Sequence, residues 1–136
     1  MLSIASLGSS FGIGAAGLAA VGAWKKCYMQ NKQVPFLLVA FVGAPASQTI
    51  YAMILNNTMI PIFEKDPHAW IFGVFAGLGL AMSAYFQGRI GAAAADAIVE
   101  GNNQGGPNYL IALGVIETIA LFVMVFSMIA LGALTK

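Results

Sequence analysis

Charged residues are scarce in this sequence. Asp, Glu, Lys and Arg make up 8% of its 136 residues, against about 25% in a typical soluble domain, while 60% are hydrophobic. This composition excludes a soluble globular domain and indicates a membrane protein. Basic residues form no cluster larger than Lys25, Lys26 and Lys32, so no nucleic-acid partner is expected. A single cysteine, Cys27, excludes an internal disulfide.

Apolar runs long enough to cross a bilayer are present in this chain. A helical span needs about 20 mainly apolar residues, and the runs cover roughly Leu2–Trp24, Pro35–Phe63, Ala69–Val99 and Tyr109–Leu134. We therefore predict an all-α, multi-pass protein of the cell membrane with four transmembrane helices. No basic segment or clear cleavage site marks the first run as a signal peptide, so we expect it to be retained. The three lysines of the first connection place the connections between spans 1 and 2 and between spans 3 and 4 in the cytoplasm, and both termini outside.

The two halves of the chain are alike, and each consists of a helix, a short polar loop and a second helix. They comprise residues 1–66 and 67–136, and their aligned segments are "FLLVAFVGA" (36–44) with "YLIALGVIE" (109–117) and "FGIGAAGLAA" (11–20) with "FQGRIGAAAA" (86–95). We predict a single membrane domain of two tandem helical hairpins. In this alignment Ala44 occupies the position of Glu117.

Spans 1 and 3 are rich in glycine and alanine, whereas spans 2 and 4 carry bulkier side chains. Small residues allow close helix packing, so we expect spans 1 and 3 to form the inner wall of a ring of many copies. Gly14 and Gly91 are expected at points of close backbone approach. The stretch "GIGAAG" (12–17) matches the glycine spacing of a dinucleotide-binding turn, but it lies inside an apolar helix without a preceding strand. Nucleotide binding is not expected.

Glu117 is an acidic residue in the middle of an apolar span. An ionisable group there costs several kcal/mol, so a functional role is the first hypothesis. With about 1.5 Å of rise per residue, Glu117 lies roughly 15 Å from the cytoplasmic end of its span, and Gln48 and Gln87 lie roughly 20 Å from theirs. One carboxylate and two amides are thus predicted at a shared depth.

A polar stripe runs along span 2, at the i, i+3, i+4 and i+7 positions Ala44, Ser47, Gln48 and Tyr51. Pro45 has no N–H group, so the helix should kink there, free the Phe41 carbonyl and turn backbone oxygens towards the site. A site built from oxygen atoms alone favours a hard cation such as Na⁺. Taken singly, Tyr51 is better explained as a packing residue, and an interhelical hydrogen bond is a better explanation than an ion ligand for each of Ser47, Gln48, Thr49 and Gln87. Their shared depth with Glu117 is what favours a site.

The whole chain resembles the proteolipid of V-type and A-type rotary ATPases, the K or c subunit of the membrane rotor. The resemblance rests on the tandem hairpins and on "GAPASQTIY" (43–51), "FQGRIGAA" (86–93) and "GVIETIAL" (114–121). It implies a homo-oligomeric ring in membrane lipid that turns against a stator subunit with an arginine and contacts a central-stalk subunit. The chain would be no enzyme on its own, but the non-nucleotide-binding subunit of an ATP-hydrolysing or ATP-synthesising ion translocase.

The resemblance to sodium-binding members of that family implies roles for individual residues. Glu117 would carry the ion, with Na⁺ bound by Ser47, Gln48, Gln87, Glu117 and the backbone carbonyl of Ala44. Tyr51 would donate a hydrogen bond to the carboxylate, and H⁺ is the alternative ion. Because the first hairpin has Ala44 in place of an acid, each subunit would carry one ion.

Two other functions remain open. A small four-helix proton-coupled multidrug exporter also uses a membrane glutamate, but places it in the first span. A structural or pore-forming four-span protein without an ion site would leave the shared depth of Gln48, Gln87 and Glu117 unexplained.

Overall fold

The chain folds into long helices joined by short turns. The computed structural model describes residues 1–134; residues 135 and 136, the last two of the predicted second hairpin, lie outside the described residues. The helices are α1 (Leu2–Met29), α2 (Leu37–Gly43), α3 (Ser47–Phe63), α4 (Trp70–Glu100) and α5 (Gly106–Leu134). With α2 and α3 taken together, four helical segments are long and apolar enough to cross a membrane. The prediction of an all-α protein with four spans is confirmed.

Two helices extend beyond the apolar runs predicted from the sequence. α1 continues past Trp24 to Met29, and α5 begins at Gly106 instead of Tyr109. The apolar run indicates only the part of a helix that suits the bilayer core. Helical hydrogen bonding can continue beyond it, as it does in α1 through Lys25 and Lys26, since lysine is a good helix former.

The second span is interrupted at Pro45, as the sequence predicts. A 3₁₀ turn over Ala44–Ala46 separates α2 from α3, because Pro45 cannot donate a backbone hydrogen bond. The carbonyl oxygen of Phe41 faces Gly91 of α4, 2.7 Å from the place where a Cβ atom on residue 91 would stand. The turn also makes Ser47 the first residue of α3.

α1 and α4 make the most extensive helix contact in the chain. A Cβ atom on Gly8, Gly12 or Gly88 would overlap backbone atoms of the facing helix, at Ala81, Ala84 and Gly12 respectively. Such close backbone approach requires glycine and maximises dispersion contacts where the lipid supplies little hydrophobic drive. Close packing of spans 1 and 3 within the chain is therefore confirmed, and Gly91 closely approaches the backbone of span 2 at Phe41. The inner wall of a ring stays a prediction.

Gly14, in contrast, does not lie at a close approach within the chain. A Cβ atom built on it meets nothing within 4 Å. The contact stripe on α1 includes Gly8 and Gly12, and a residue two positions after Gly12 is turned by about 200° around the helix axis. Gly14 therefore takes no part in the contact between α1 and α4, and its expected role in ring assembly stays a prediction.

The two predicted cytoplasmic connections meet at one end of the helices. Lys26 Nζ lies 3.0 Å from Glu100 Oε1, and Lys32 Nζ donates a hydrogen bond of 2.8 Å to Asn102 Oδ1. α5 packs against α4 and α3, and its outer face exposes large apolar side chains, among them Val115, Phe122 and Phe126. This arrangement gives a small-residue pair, α1 and α4, flanked by bulkier helices.

Candidate ion-binding site

Glu117 accepts hydrogen bonds from three side chains on two other helices. Tyr51, on α3, donates a hydrogen bond of 2.5 Å from its Oη atom to Glu117 Oε1. Gln48 Nε2, also on α3, and Gln87 Nε2 on α4 donate to Oε2 at 3.0 and 2.7 Å. The structure therefore brings together the carboxylate and amides that the sequence predicts at one depth.

The two glutamines also bind each other and the α5 backbone. Gln48 Nε2 donates to Gln87 Oε1 at 2.8 Å, and Gln87 Nε2 reaches the carbonyl oxygen of Leu113 at 3.2 Å. Gln48 is 0% exposed and Gln87 2% exposed, so each amide depends on protein partners for its hydrogen bonds. Within residues 1–134, every buried side-chain nitrogen and oxygen atom has such a partner.

Ser47 and Ala44 lie beside the carboxylate network without a hydrogen bond to Glu117. Ser47 Oγ is 3.0 Å from the carbonyl oxygen of Ala44 and 3.2 Å from Gln48 Oε1. Its hydroxyl group thereby links the 3₁₀ turn at Ala44 to the buried amide of Gln48. These two residues form the edge of the site, and Gln48 forms its base.

An open groove between the second span and α5 leads to the carboxylate. Its volume is about 390 Å³, and Ala44, Ser47, Gln87 and Glu117 line it. Gly43 and Gly114 also line the groove, and a Cβ atom on either would meet nothing within 4 Å. A small cation or a water molecule can therefore reach Glu117 from this side, while Tyr51 and Gln48 close the site from behind.

No basic side chain in the described part of the chain forms an ion pair with Glu117. The ion pair present in residues 1–134 joins Lys26 to Glu100 at the loop end. A carboxylate at mid-span is costly while it is charged and unpaired. Neutralisation of Glu117 therefore requires a proton, a bound cation or a basic group from another chain.

Ser83 is a polar residue near the site that the sequence analysis missed. Its Oγ atom donates a 3.0 Å hydrogen bond to the carbonyl oxygen of Ile116, and its side chain is 3% exposed. The spacing of four residues between Ser83 and Gln87 places both on one face of α4, a signal that was present in the sequence. Thr49 instead lies away from the site, where its Oγ1 donates to Ser9 Oγ of α1 at 2.9 Å.

Comparison with known proteins finds a similarity within the second hairpin. Residues 71–130 match the family model of the ATP synthase C subunit, and the matched segment contains Gln87 and Glu117. Searches of curated proteins and of solved structures found no match. Most of the hairpin formed by α4 and α5 is therefore similar to the ATP synthase C subunit, a family of rotor subunits that are not themselves catalytic.

Proposed function

We propose that the chain builds the ion-carrying rotor ring of a V-type or A-type rotary ATPase, and that each copy carries one Na⁺ on Glu117. The observation that carries this proposal is the convergence of Tyr51, Gln48 and Gln87 on the Glu117 carboxylate at mid-span. The match to the ATP synthase C-subunit family supports a rotor role. The tandem hairpins, with Ala44 aligned to Glu117, support the V-type or A-type form.

Rotation would follow from the charge of Glu117. The carboxylate crosses lipid in a neutral form with its ion bound and releases the ion beside an arginine of the stator. Because the ring turns only as ions are exchanged there, ion flux and rotation are coupled. The loop end with Lys26 and Glu100 would face the cytoplasm and the central stalk, with both termini outside.

The ligand chemistry favours Na⁺ over H⁺. A proton needs Glu117 and one acceptor, whereas a sodium ion needs several oxygen atoms. The site offers a carboxylate, the amide oxygens of Gln48 and Gln87, the Ser47 hydroxyl and the Ala44 carbonyl. A site that brings this many oxygen ligands together suits a hard cation.

Sodium binding would require the glutamine amides to turn. In the structure, the nitrogen atoms of Gln48 and Gln87 face Glu117, and Gln48 Oε1 faces Ser47. Rotation by about 180° about the last side-chain bond exchanges N and O positions in an amide. The cation would then replace N–H donors as the positive partner of the carboxylate, and Tyr51 can keep its bond to Oε1.

Carbodiimide labelling of the full-length protein tests the choice of ion. These reagents modify protonated carboxyl groups, so Na⁺ occupancy should slow the labelling of Glu117. Gln87→Ala should weaken this protection, because the loss of one ligand costs about 1–3 kcal/mol, roughly a 5- to 150-fold loss of apparent Na⁺ affinity.

The matched control is Thr49→Ala, which removes an interhelical hydrogen bond of α3 that does not involve Glu117. It should leave the protection by Na⁺ unchanged. Labelling that follows pH but ignores Na⁺ would show that the site carries protons. Images of the detergent-solubilised protein that show single chains instead of rings would contradict the rotor assignment.

A further inference from the structure

The backbone of α5 is held from α4 at two successive points directly before Glu117. Ser83 Oγ donates to the carbonyl oxygen of Ile116 at 3.0 Å, and Gln87 Nε2 donates to that of Leu113 at 3.2 Å. The two donors lie one turn apart on α4, and the two carbonyls lie one turn apart on α5. Gln87 also donates a hydrogen bond to the Glu117 carboxylate, whereas the Ser83 hydroxyl group binds the backbone of α5 and not the carboxylate.

We propose that Ser83 is a positioning residue for the Glu117 carboxylate. Its hydroxyl group holds the peptide that immediately precedes Glu117 and so fixes where the carboxylate lies relative to Gln48 and Gln87. The inference rests on the proposed function in one respect, because one of the two measurements that test it is the affinity of the site for Na⁺.

A second anchor matters because one hydrogen bond cannot fix the rotation of a helix. The Leu113 contact fixes one point of the α5 backbone, and the Ile116 contact fixes a second, so together they define the rotation and height of this backbone on α4. α5 is also the least buried of the four spans. Gly114, Val115 and Thr118, which lie close to Glu117 along α5, are exposed. Leu113 and Ala120 are buried on either side of Glu117, and the hydrogen bonds from α4 hold the backbone between them.

Cation affinity depends on small changes in the positions of the ligands, so the position of Glu117 affects it. Distances from a metal ion to its ligands are defined to about 0.2 Å, and groups that orient the ligands typically change metal affinity by about 10- to 100-fold when they are removed. A small shift of α5 would separate Glu117 from the amides of Gln48 and Gln87, although none of these ligands is itself altered.

Ser9 provides a control for a purely structural role. Its side chain is 3% exposed, as that of Ser83 is, and it accepts an interhelical hydrogen bond from Thr49 at 2.9 Å. This bond joins α1 to α3 and involves no atom of α5. If Ser83 contributed to packing alone, Ser83→Ala and Ser9→Ala should have similar effects on the site.

The experiment compares Ser83→Ala, Ser83→Thr and Ser9→Ala in the full-length chain, assembled in membranes. The first readout is the Na⁺ concentration that halves carbodiimide labelling of Glu117. We expect about a 10-fold increase for Ser83→Ala, recovery for Ser83→Thr, which keeps the hydroxyl group, and no change for Ser9→Ala. Assembly size should be the same in all variants.

The second readout does not depend on Na⁺. The infrared carboxyl bands of Glu117, identified as those absent from Glu117→Gln, report its hydrogen bonds and should shift in Ser83→Ala but not in Ser9→Ala. Unshifted bands in Ser83→Ala, or equal shifts in both alanine variants, would overturn the positioning role. If the unsubstituted protein shows no protection by Na⁺, the proposed sodium site fails, and the infrared comparison alone decides the role of Ser83.

Discussion

Glu117→Gln is expected to abolish ion-coupled ATP turnover in the assembled rotary complex while the ring still assembles. The amide has nearly the same shape as the carboxyl group, and its oxygen can still accept a hydrogen bond from Tyr51. It carries no charge, however, so it cannot alternate between a charged form and an ion-bound neutral form. Ion uptake into sealed vesicles and Na⁺-stimulated ATP hydrolysis measure the effect, and both should fall to background.

Glu100→Gln provides the matched control for this substitution. It makes the same change from acid to amide at the loop end, where the carboxylate pairs with Lys26 in an exposed ion pair. Such pairs contribute little to stability, so coupled turnover should remain close to that of the unsubstituted protein. Near-normal transport by Glu117→Gln would remove this residue from the mechanism.

Gly88→Ala is expected to have the largest effect on stability. The added Cβ atom would overlap the backbone of Gly12, which cannot move aside as a flexible side chain could. Overpacking of this kind costs about 1–3 kcal/mol and occasionally more, which exceeds the gain of about 1 kcal/mol from replacing glycine by alanine in a helix. The substituted chain should unfold at a lower SDS concentration, as measured by circular dichroism in mixed micelles.

Gly14→Ala separates steric overlap from helix propensity. It makes the same substitution on α1 at a position with open space around the new Cβ atom. The chain should be as stable as the parent or slightly more so, because alanine favours the helix. Equal destabilisation by both substitutions would show that the close approach of α1 and α4 is not what Gly88 provides.

The sequence was sufficient to predict the shared depth of Gln48, Gln87 and Glu117. Helical rise converts positions within a span into depth, and the i, i+4 spacing identifies a common face. These rules do not say which atom of an amide faces the carboxylate, since that depends on how all donors and acceptors in the site are paired. Only the structure shows that the amide nitrogen atoms of Gln48 and Gln87 face the carboxylate.

The contacts between helices were predictable in kind but not in detail. Glycine content indicated that α1 and α4 pack closely, yet the phase of Gly14 relative to Gly12 decided which glycines take part. The role of Ser83 depends on the rotation of α5 about its axis, because this rotation alone brings the Ile116 carbonyl to the hydroxyl group. Neither follows from composition or from the position of a residue within its span.

The backbone contact between α1 and α4 also bears on the number of copies in the proposed rotor ring. A protomer that is thin on the α1 and α4 side and thick on the α3 and α5 side is a wedge, and the angle of the wedge determines how many copies close a circle. In the proposed ring each copy would carry one ion past the stator, so this angle would set how many ions cross the membrane in one revolution. Glycines that do not themselves contact the ion would thereby help to determine how many ions the proposed rotor exchanges for each ATP.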